Sequence, residues 1–295
     1  MFVCYSPYHR TNSAPPNGVT EANVAADMKI VAAHFSQIRT YGVDGGNQWN
    51  VEKARANGIL QMAVGVWVFP GDATRTNAQI DLALGQVAGA MKNHGPFEHI
   101  DLVIGNEVNR TDVAVYTPAM IQNGMAYAKQ KVKTFGNALP SVYVTTCFSG
   151  TVLQPGSPDA AKWQPVVDFC DERTLLTVYP WYGNAKPNDI NPQMQWSWDN
   201  GLKQVQARHK QVVIAEIGWP SAGGNAGQPP TTVDNERINY ETTKKWVSMG
   251  NPMGLELDTY WFEMFDEPWK SNEGPWGPHW GLYTSGANPQ PKFKF

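Results

Sequence analysis

The stretch VVIAEIGWPS, residues 212–221, begins as a strand suited to a protein core and then sets a carboxylate, Glu216, near its end. Five of its first six residues are apolar, led by the β-branched Val212, Val213 and Ile214. A continuous apolar run of this kind fits a strand buried on both faces, as in a parallel sheet. Gly218 and Pro220 follow as turn formers, so Glu216 is expected where the strand gives way to a loop.

Outward from this stretch the same unit recurs. Strand-like runs lie at 2–8, 37–42, 59–70, 100–108, 141–148, 174–183, 211–220 and 255–265. Helix-like stretches separate them at 20–35, 47–57, 77–95, 117–136, 160–171, 193–209 and 233–249. The first opens on a Thr20-x-x-Asn23 cap, the third stops at Gly95, and the fourth starts with Thr117 and Pro118 in the cap and first-turn positions. Strands alternating with helices imply a parallel sheet, and eight of them favour closure into a (β/α)8 barrel. An open, doubly wound sheet is the alternative reading of the same alternation. Residues 266–295 carry no helical period, so the last helix is expected to be reduced or irregular. No low-complexity linker interrupts the pattern, which predicts one catalytic domain over 1–295.

Composition narrows the chemistry. The net charge is −3 with no long basic or acidic run, which speaks against nucleic acid or anionic lipid as partner. No apolar stretch reaches the roughly 18 residues of a membrane span. The opening MFVCYSPY is too short for a secretory signal, so a targeting segment is expected to have been removed. The six histidines lack ligand spacing, and neither an HExxH nor a phosphate loop occurs, so neither metal nor nucleotide cofactor is expected. Whether Cys147 and Cys170 pair is open; with three cysteines at least one thiol is free.

If the barrel is right, its active site lies at the C-terminal ends of the strands. Glu216 ends the seventh, and Asn106-Glu107 end the fourth. A single Glu at a strand end is more often an ion-pair partner or a rim residue; two of them facing each other across the barrel mouth point to glycoside hydrolysis. That reaction needs one carboxyl group to protonate the leaving oxygen and another to attack or stabilise the anomeric carbon. The chain also holds twelve Trp, eleven Tyr and eleven Phe. Many are core filler, but Trp67, Trp181, Trp219, Trp261, Trp269, Trp276 and Trp280 fall at strand ends or in the loops after them, where sugar rings could stack.

The run VVIAEIGWPSAG resembles the signature of glycoside hydrolase family 17, the β-1,3-glucanases, in which E-x-G-W-P-S carries the nucleophile. VIGNEV resembles that family's acid/base segment, and FEMFDEPWK with WGLY its final strand and loop. The resemblance implies Glu216 as nucleophile, Glu107 as acid/base and Asn106 as partner of the sugar 2-hydroxyl. Tyr41 and Tyr179 would line the cleavage subsite, Glu267 and Lys270 would support it, and Trp280 stands where the family has an aromatic before Gly-Leu; Trp181 and Trp219 are expected to contact substrate from their strand-end positions. Glu273 stands only roughly where plant members have a further acidic residue. The compact stretch after Glu216 leaves no room for the subdomain of plant members, which suggests a microbial type.

The expected activity is retaining hydrolysis of β-1,3-glucan with transglycosylation, by a monomer acting outside the cell, in the wall or periplasm. A dedicated glucanosyltransferase and a non-catalytic glucan-binding protein are the alternatives. A β-1,4-specific barrel would share Asn-Glu but not E-I-G-W-P-S. The sequon at Asn109 is expected to be unmodified, because a glycan there would crowd the cleft.

Overall fold

The computed structural model of the chain describes residues 1–11, 14–112, 115–224, 226–248, 251, 254 and 256–295. Nine strands form one sheet: β1 (Phe2–Cys4), β2 (Gln37–Arg39), β3 (Gln61–Val66), β4 (His99–Ile104), β5 (Val142–Thr145), β6 (Cys147–Ser149), β7 (Arg173–Thr177), β8 (Gln211–Ile217) and β9 (Thr259–Trp261). Every ladder is parallel, in the order β5-β4-β3-β2-β1-β9-β8-β7-β6. The two ends of that order are consecutive in the chain, separated by Thr146 alone. The sheet therefore closes on itself, and β5 with β6 is the fifth of eight barrel strands. The lower half pairs with β4 and the upper half with β7. Across the break, hydroxyls make the missing bonds: Thr146 Oγ1 donates to the Ile104 carbonyl at 2.6 Å and Thr145 Oγ1 to that of Arg173 at 2.7 Å.

Helices follow the strands as the alternation predicts: α1 (Glu21–Ala32), α2 (Asn50–Ala56), α3 (Ala73–His94), α4 (Pro118–Phe135), α5 (Pro158–Phe169), α6 (Asn191–Ser197) running through a π turn into α7 (Lys203–Gln206), and α8 (Val233–Val247). Thr20 caps α1 by accepting from the Asn23 amide, and Thr117 caps α4 from that of Met120. After β9 only the 3-10 turns Pro268–Glu273 and Gly277–His279 are present, the irregular ending that the missing helical period implied. The predicted end of the 233–249 helix and Leu255 of the last predicted strand lie outside the described residues.

The strands stop short of the apolar runs that announced them. The ends of those runs leave the ladder and build the barrel mouth. Side-chain alternation shows how one of them does so. Val213 and Ala215 point into the barrel, with Cys4, Ala63, Val103, Cys147, Leu175 and Tyr260. Ile214 and Ile217 point outward into the core beneath the helices. Strict alternation would send Glu216 outward too. Instead β8 carries one extra residue: Leu176 and Thr177 of β7 face Ile214 and Glu216, two residues apart. This bulge re-aims the carboxylate into the mouth.

Candidate active site

Glu216 is 5% exposed, and its carboxylate accepts from Arg39, Tyr41 and Tyr179. Arg39, the last residue of β2, gives Nη1 to Oε1 at 2.5 Å, Tyr41 gives its hydroxyl to the same oxygen at 2.9 Å, and Tyr179 gives its own to Oε2 at 2.6 Å. Burial, then the Cys4 thiol and the Glu216 charge, push the Tyr41 hydroxyl well above its ordinary range; burial and Glu216 do the same for Tyr179. Both phenols therefore keep their protons as donors. The carboxylate is fixed from three sides, as a nucleophile aimed at one carbon requires.

Arg39 also reaches the fourth strand. Its Nη2 bonds Asn106 Oδ1 at 2.6 Å, so what the Asn106 amide can offer a ligand is its NH2. Beyond it the chain turns sharply. Gly105 has φ +82°, and a Cβ there would lie 2.6 Å from Val108 Cγ1. Glu107 itself has φ +47°, a conformation uncommon outside glycine and held here by its side-chain bonds. Thr177 Oγ1 donates to Glu107 Oε1 at 2.6 Å, and Arg110 Nη1 to Oε2 at 2.6 Å. Since Thr177 is the ladder partner of Glu216, the two carboxyl groups belong to one ring: Glu216, Arg39, Asn106, Glu107, Thr177 and back.

Their environments differ. Burial, and after it the Glu216 charge, raises the Glu107 pKa, against the pull of Thr177 and Arg110. Glu107 thus tends to hold a proton while Glu216 faces cation and hydroxyl donors. Two carboxyl groups set apart in this way can divide acid and nucleophile roles between them.

Glu267 and Lys270 meet in a second, buried cluster together with Glu263. Lys270 Nζ lies 2.9 Å from both Glu263 oxygens and 2.6 Å from Glu267 Oε2, while Ser6 donates to Glu267 Oε1 at 2.5 Å. Burial, then Glu267, pushes Glu263 well up; burial opposes ionisation of Glu267, but Lys270 outweighs it and holds that carboxyl below the ordinary range. The ammonium sits 4.4 Å from the centre of the Phe262 ring, and Phe262 meets Tyr41 and Tyr179 edge-on at 6.3 and 6.0 Å. The cluster reaches Glu216 through that ring and those phenols. Gly218 permits the approach, since a Cβ there would lie 2.3 Å from the Phe262 carbonyl.

The aromatic expectations need correction. Trp181 and Trp219 are fully covered, their indole N–H groups bonded to the Pro229 and Pro230 carbonyls at 3.0 and 3.2 Å, and Trp261 is buried as well. Trp280, 2% exposed, packs edge-on against Trp181 at 5.6 Å and Tyr179 at 5.4 Å. These rings shape the wall behind Tyr179 rather than offering open faces. Among the described residues the most open rings are Trp67 (51% exposed), Tyr182 (48%) and Trp196 (52%). Tyr182 and Trp196 line a cleft of about 710 Å³ with Glu107, Arg110, Thr177 and Tyr179.

Sequence reasoning passed over Arg39, Thr177, Arg110 and Glu263. Arg39 carried a signal of the same kind as Glu216, a charge at the end of a buried strand; the others depend on tertiary contacts. Asn109 accepts from the Ser149 amide at 2.8 Å, tying the loop after β4 to the end of β6. Cys4, Cys147 and Cys170 are all unpaired and buried. Among the described residues, no group of three His, Cys, Asp or Glu could hold a metal, and no helix is long and apolar enough to cross a membrane.

Known proteins share this architecture. The endo-laminarinase from Formosa Hel1_33_131 superposes with a TM-score of 0.77 at 19% identity, over 96% of this chain and 83% of that one. An active-site mutant of the Rhizomucor miehei β-1,3-glucanosyltransferase, in complex with laminaritriose, gives 0.70 at 21% identity over 99% and 96%. In sequence, glucan endo-1,3-beta-glucosidase btgC of Emericella nidulans is 26% identical over 297 residues, which cover 94% of this chain and 42% of that protein. The chain thus spans about two-fifths of the length of such a curated relative. Residues 3–281 match the BtgE/BtgC glycoside hydrolase domain, and the chain belongs to that family.

Proposed function

We propose that this domain cleaves β-1,3-glucan with retention of configuration, Glu216 attacking the anomeric carbon and Glu107 serving as acid and then base. The observation that carries the reading is the ring of side-chain bonds, one peptide link and one ladder pair that joins the two carboxyl groups yet gives them different surroundings. In the first step the Glu216 carboxylate bonds to C1, the C1–O electrons pass to the leaving oxygen, and that oxygen takes the proton of Glu107. In the second, Glu107 removes a proton from the acceptor hydroxyl, which displaces Glu216. Asn106 would give its NH2 to the 2-hydroxyl. The name of the curated relative, a glucan endo-1,3-beta-glucosidase, and the laminaritriose bound by a structural neighbour support β-1,3-glucan as substrate.

Water as acceptor gives hydrolysis; a second glucan chain gives transfer. The cleft beside Glu107, with Tyr182 and Trp196 open in its wall, favours substantial transfer beside hydrolysis. A glucan substrate fits action by a monomer outside the cell, in the wall. Mass spectrometry of the products from one purified β-1,3-gluco-oligosaccharide of five or six units tests this. Shorter products with some longer than the starting material are expected; no change in the oligosaccharide would refute the reading. A 2-deoxy-2-fluoro-glucosyl donor with an activated leaving group should add its sugar to the peptide containing Glu216, and labelling elsewhere would refute that assignment.

A further inference from the structure

Both oxygens of Glu107 are occupied. Thr177 holds Oε1, and Oε2 accepts from Arg110. A guanidinium only donates, so a hydrogen on Oε2 along the Nη1 contact would set two donors against each other, and the Arg110 bond favours the unprotonated oxygen. Arg110 has a second partner. Its Nε and Nη2 lie 3.0 and 2.5 Å from the two oxygens of Asp112, a carboxylate on the solvent side of the same loop. Arg110 also lines the cleft beside Glu107, with the open rings of Tyr182 and Trp196, and its side chain is 40% exposed. Holding a cation on the general acid disfavours the protonated form that the first step needs.

We propose that Arg110 is a positioning residue: it clamps the Glu107 carboxyl in the free enzyme, and a leaving sugar entering the cleft displaces it from Oε2, leaving it on Asp112 alone and Oε2 free to face the bridging oxygen. The proposal rests on the acid/base reading of Glu107. It makes proton donation conditional on an occupied leaving-group side. Other groups facing Glu107 do not share this property. Glu216 on β8, Cys147 on β6, Tyr179 and Tyr182 after β7, and Glu273 in the C-terminal segment act on its charge, but none of them is a cation.

The test separates free enzyme from complex. The pH profile of kcat/KM reports the acid of the free enzyme and that of kcat the acid of the complex. For Arg110→Ala acting on a β-1,3-gluco-oligosaccharide, the alkaline limb of kcat/KM should move up by about one pH unit, the lower end of what one adjacent cation does to a carboxyl. The alkaline limb of kcat should stay in place, because the substrate has already displaced the arginine. Arg110→Lys, which keeps a cation, should return the kcat/KM limb toward the parent. If both limbs moved together, Arg110 would be a fixed neighbour rather than a displaced one, and the proposal would fall; it would fall equally if neither moved. Carbon-13 titration of the Glu107 carboxyl in the two unliganded proteins reads the clamp without turnover. An upward shift in Arg110→Ala together with no cleavage of the oligosaccharide would overturn the substrate assignment and leave the clamp standing, whereas no shift would overturn the clamp whatever the substrate.

Discussion

Arg39→Met tests whether one buried cation organises the site. Arg39 is 1% exposed and its guanidinium serves four acceptors at once: Glu216 Oε1 at 2.5 Å, the Ala215 carbonyl at 3.0 Å, Asn106 Oδ1 at 2.6 Å and, at 3.5 Å, the Tyr41 hydroxyl. Methionine fills a similar volume and supplies no charge, so Glu216 is left buried without its cation. Breaking a buried pair from one side costs about 3–5 kcal/mol, and the two tyrosine donors that remain on Glu216 argue for the middle of that range, about 4 kcal/mol. At about 2.1 cal/mol/K per residue, a chain of 295 residues turns such a loss into a drop of roughly 6 °C in Tm. Scanning calorimetry at pH 7 measures it, with oligosaccharide cleavage followed in parallel and expected to be lost. The decisive sample is the double variant Arg39→Met/Glu216→Gln. If the cost is an orphaned charge, removing that charge should recover most of the loss, so the double variant should melt above Arg39→Met alone. Equal melting points, or a single-variant drop under about 2 °C, would mean that the ring around Glu216 is held by packing and that the electrostatic account is wrong.

Glu107→Gln should lower glucan cleavage by about 10²–10⁴-fold, the usual worth of a general acid. It should also stabilise the fold at neutral pH: with the folded pKa raised, the native state ionises Glu107 less readily than the unfolded chain, so stability is lost as pH rises from the unfolded value of about 4.3 through the folded one. Urea melts of parent and variant should therefore differ at pH 7 and converge below pH 4; a gap of the same size at both would contradict the burial argument. Tyr182→Ala and Trp196→Ala should each raise KM for long glucans by up to about ten-fold, the range of a single ring contact, and shift products from transfer toward hydrolysis. Unchanged ratios of long to short products would remove these rings from the acceptor side. All three thiols should resist iodoacetamide until the protein unfolds, since they are buried and burial pushes Cys147 up to about 12; intact-protein mass after brief alkylation shows whether any reacts in the native state.

The alternation of strands and helices, and with it the barrel, was readable because buried parallel strands are continuous apolar runs and helices have caps. Glu107 and Glu216 were readable because a charge at the end of such a run is conspicuous. The aim of Glu216 was not, since the bulge in β8 is set by its neighbours β7 and β9 and leaves no mark in the run itself. The aromatics misled for a related reason. A tryptophan in a loop after a strand can face sugar or close the wall, and only the course of the loop through Pro229 and Pro230 decides that Trp181 and Trp219 do the latter. Thr177 and Arg110 act through contacts that no local pattern encodes.

The break at Thr146 has a bearing on how this enzyme can change over time. Because the upper half of the fifth barrel strand draws its ladder from β7 alone, the segment beyond β4 is released from any duty to the sheet just where Glu107 begins its loop. What ties that loop down is local: the Val108 amide on the Cys147 carbonyl at 3.1 Å, and Asn109 on the Ser149 amide. Glu107 is thus mounted at the edge of a loop that no strand pairing holds, while Glu216 sits in a strand paired on both sides. Mutational drift in such a domain can alter the surroundings of Glu107 and leave those of Glu216 untouched.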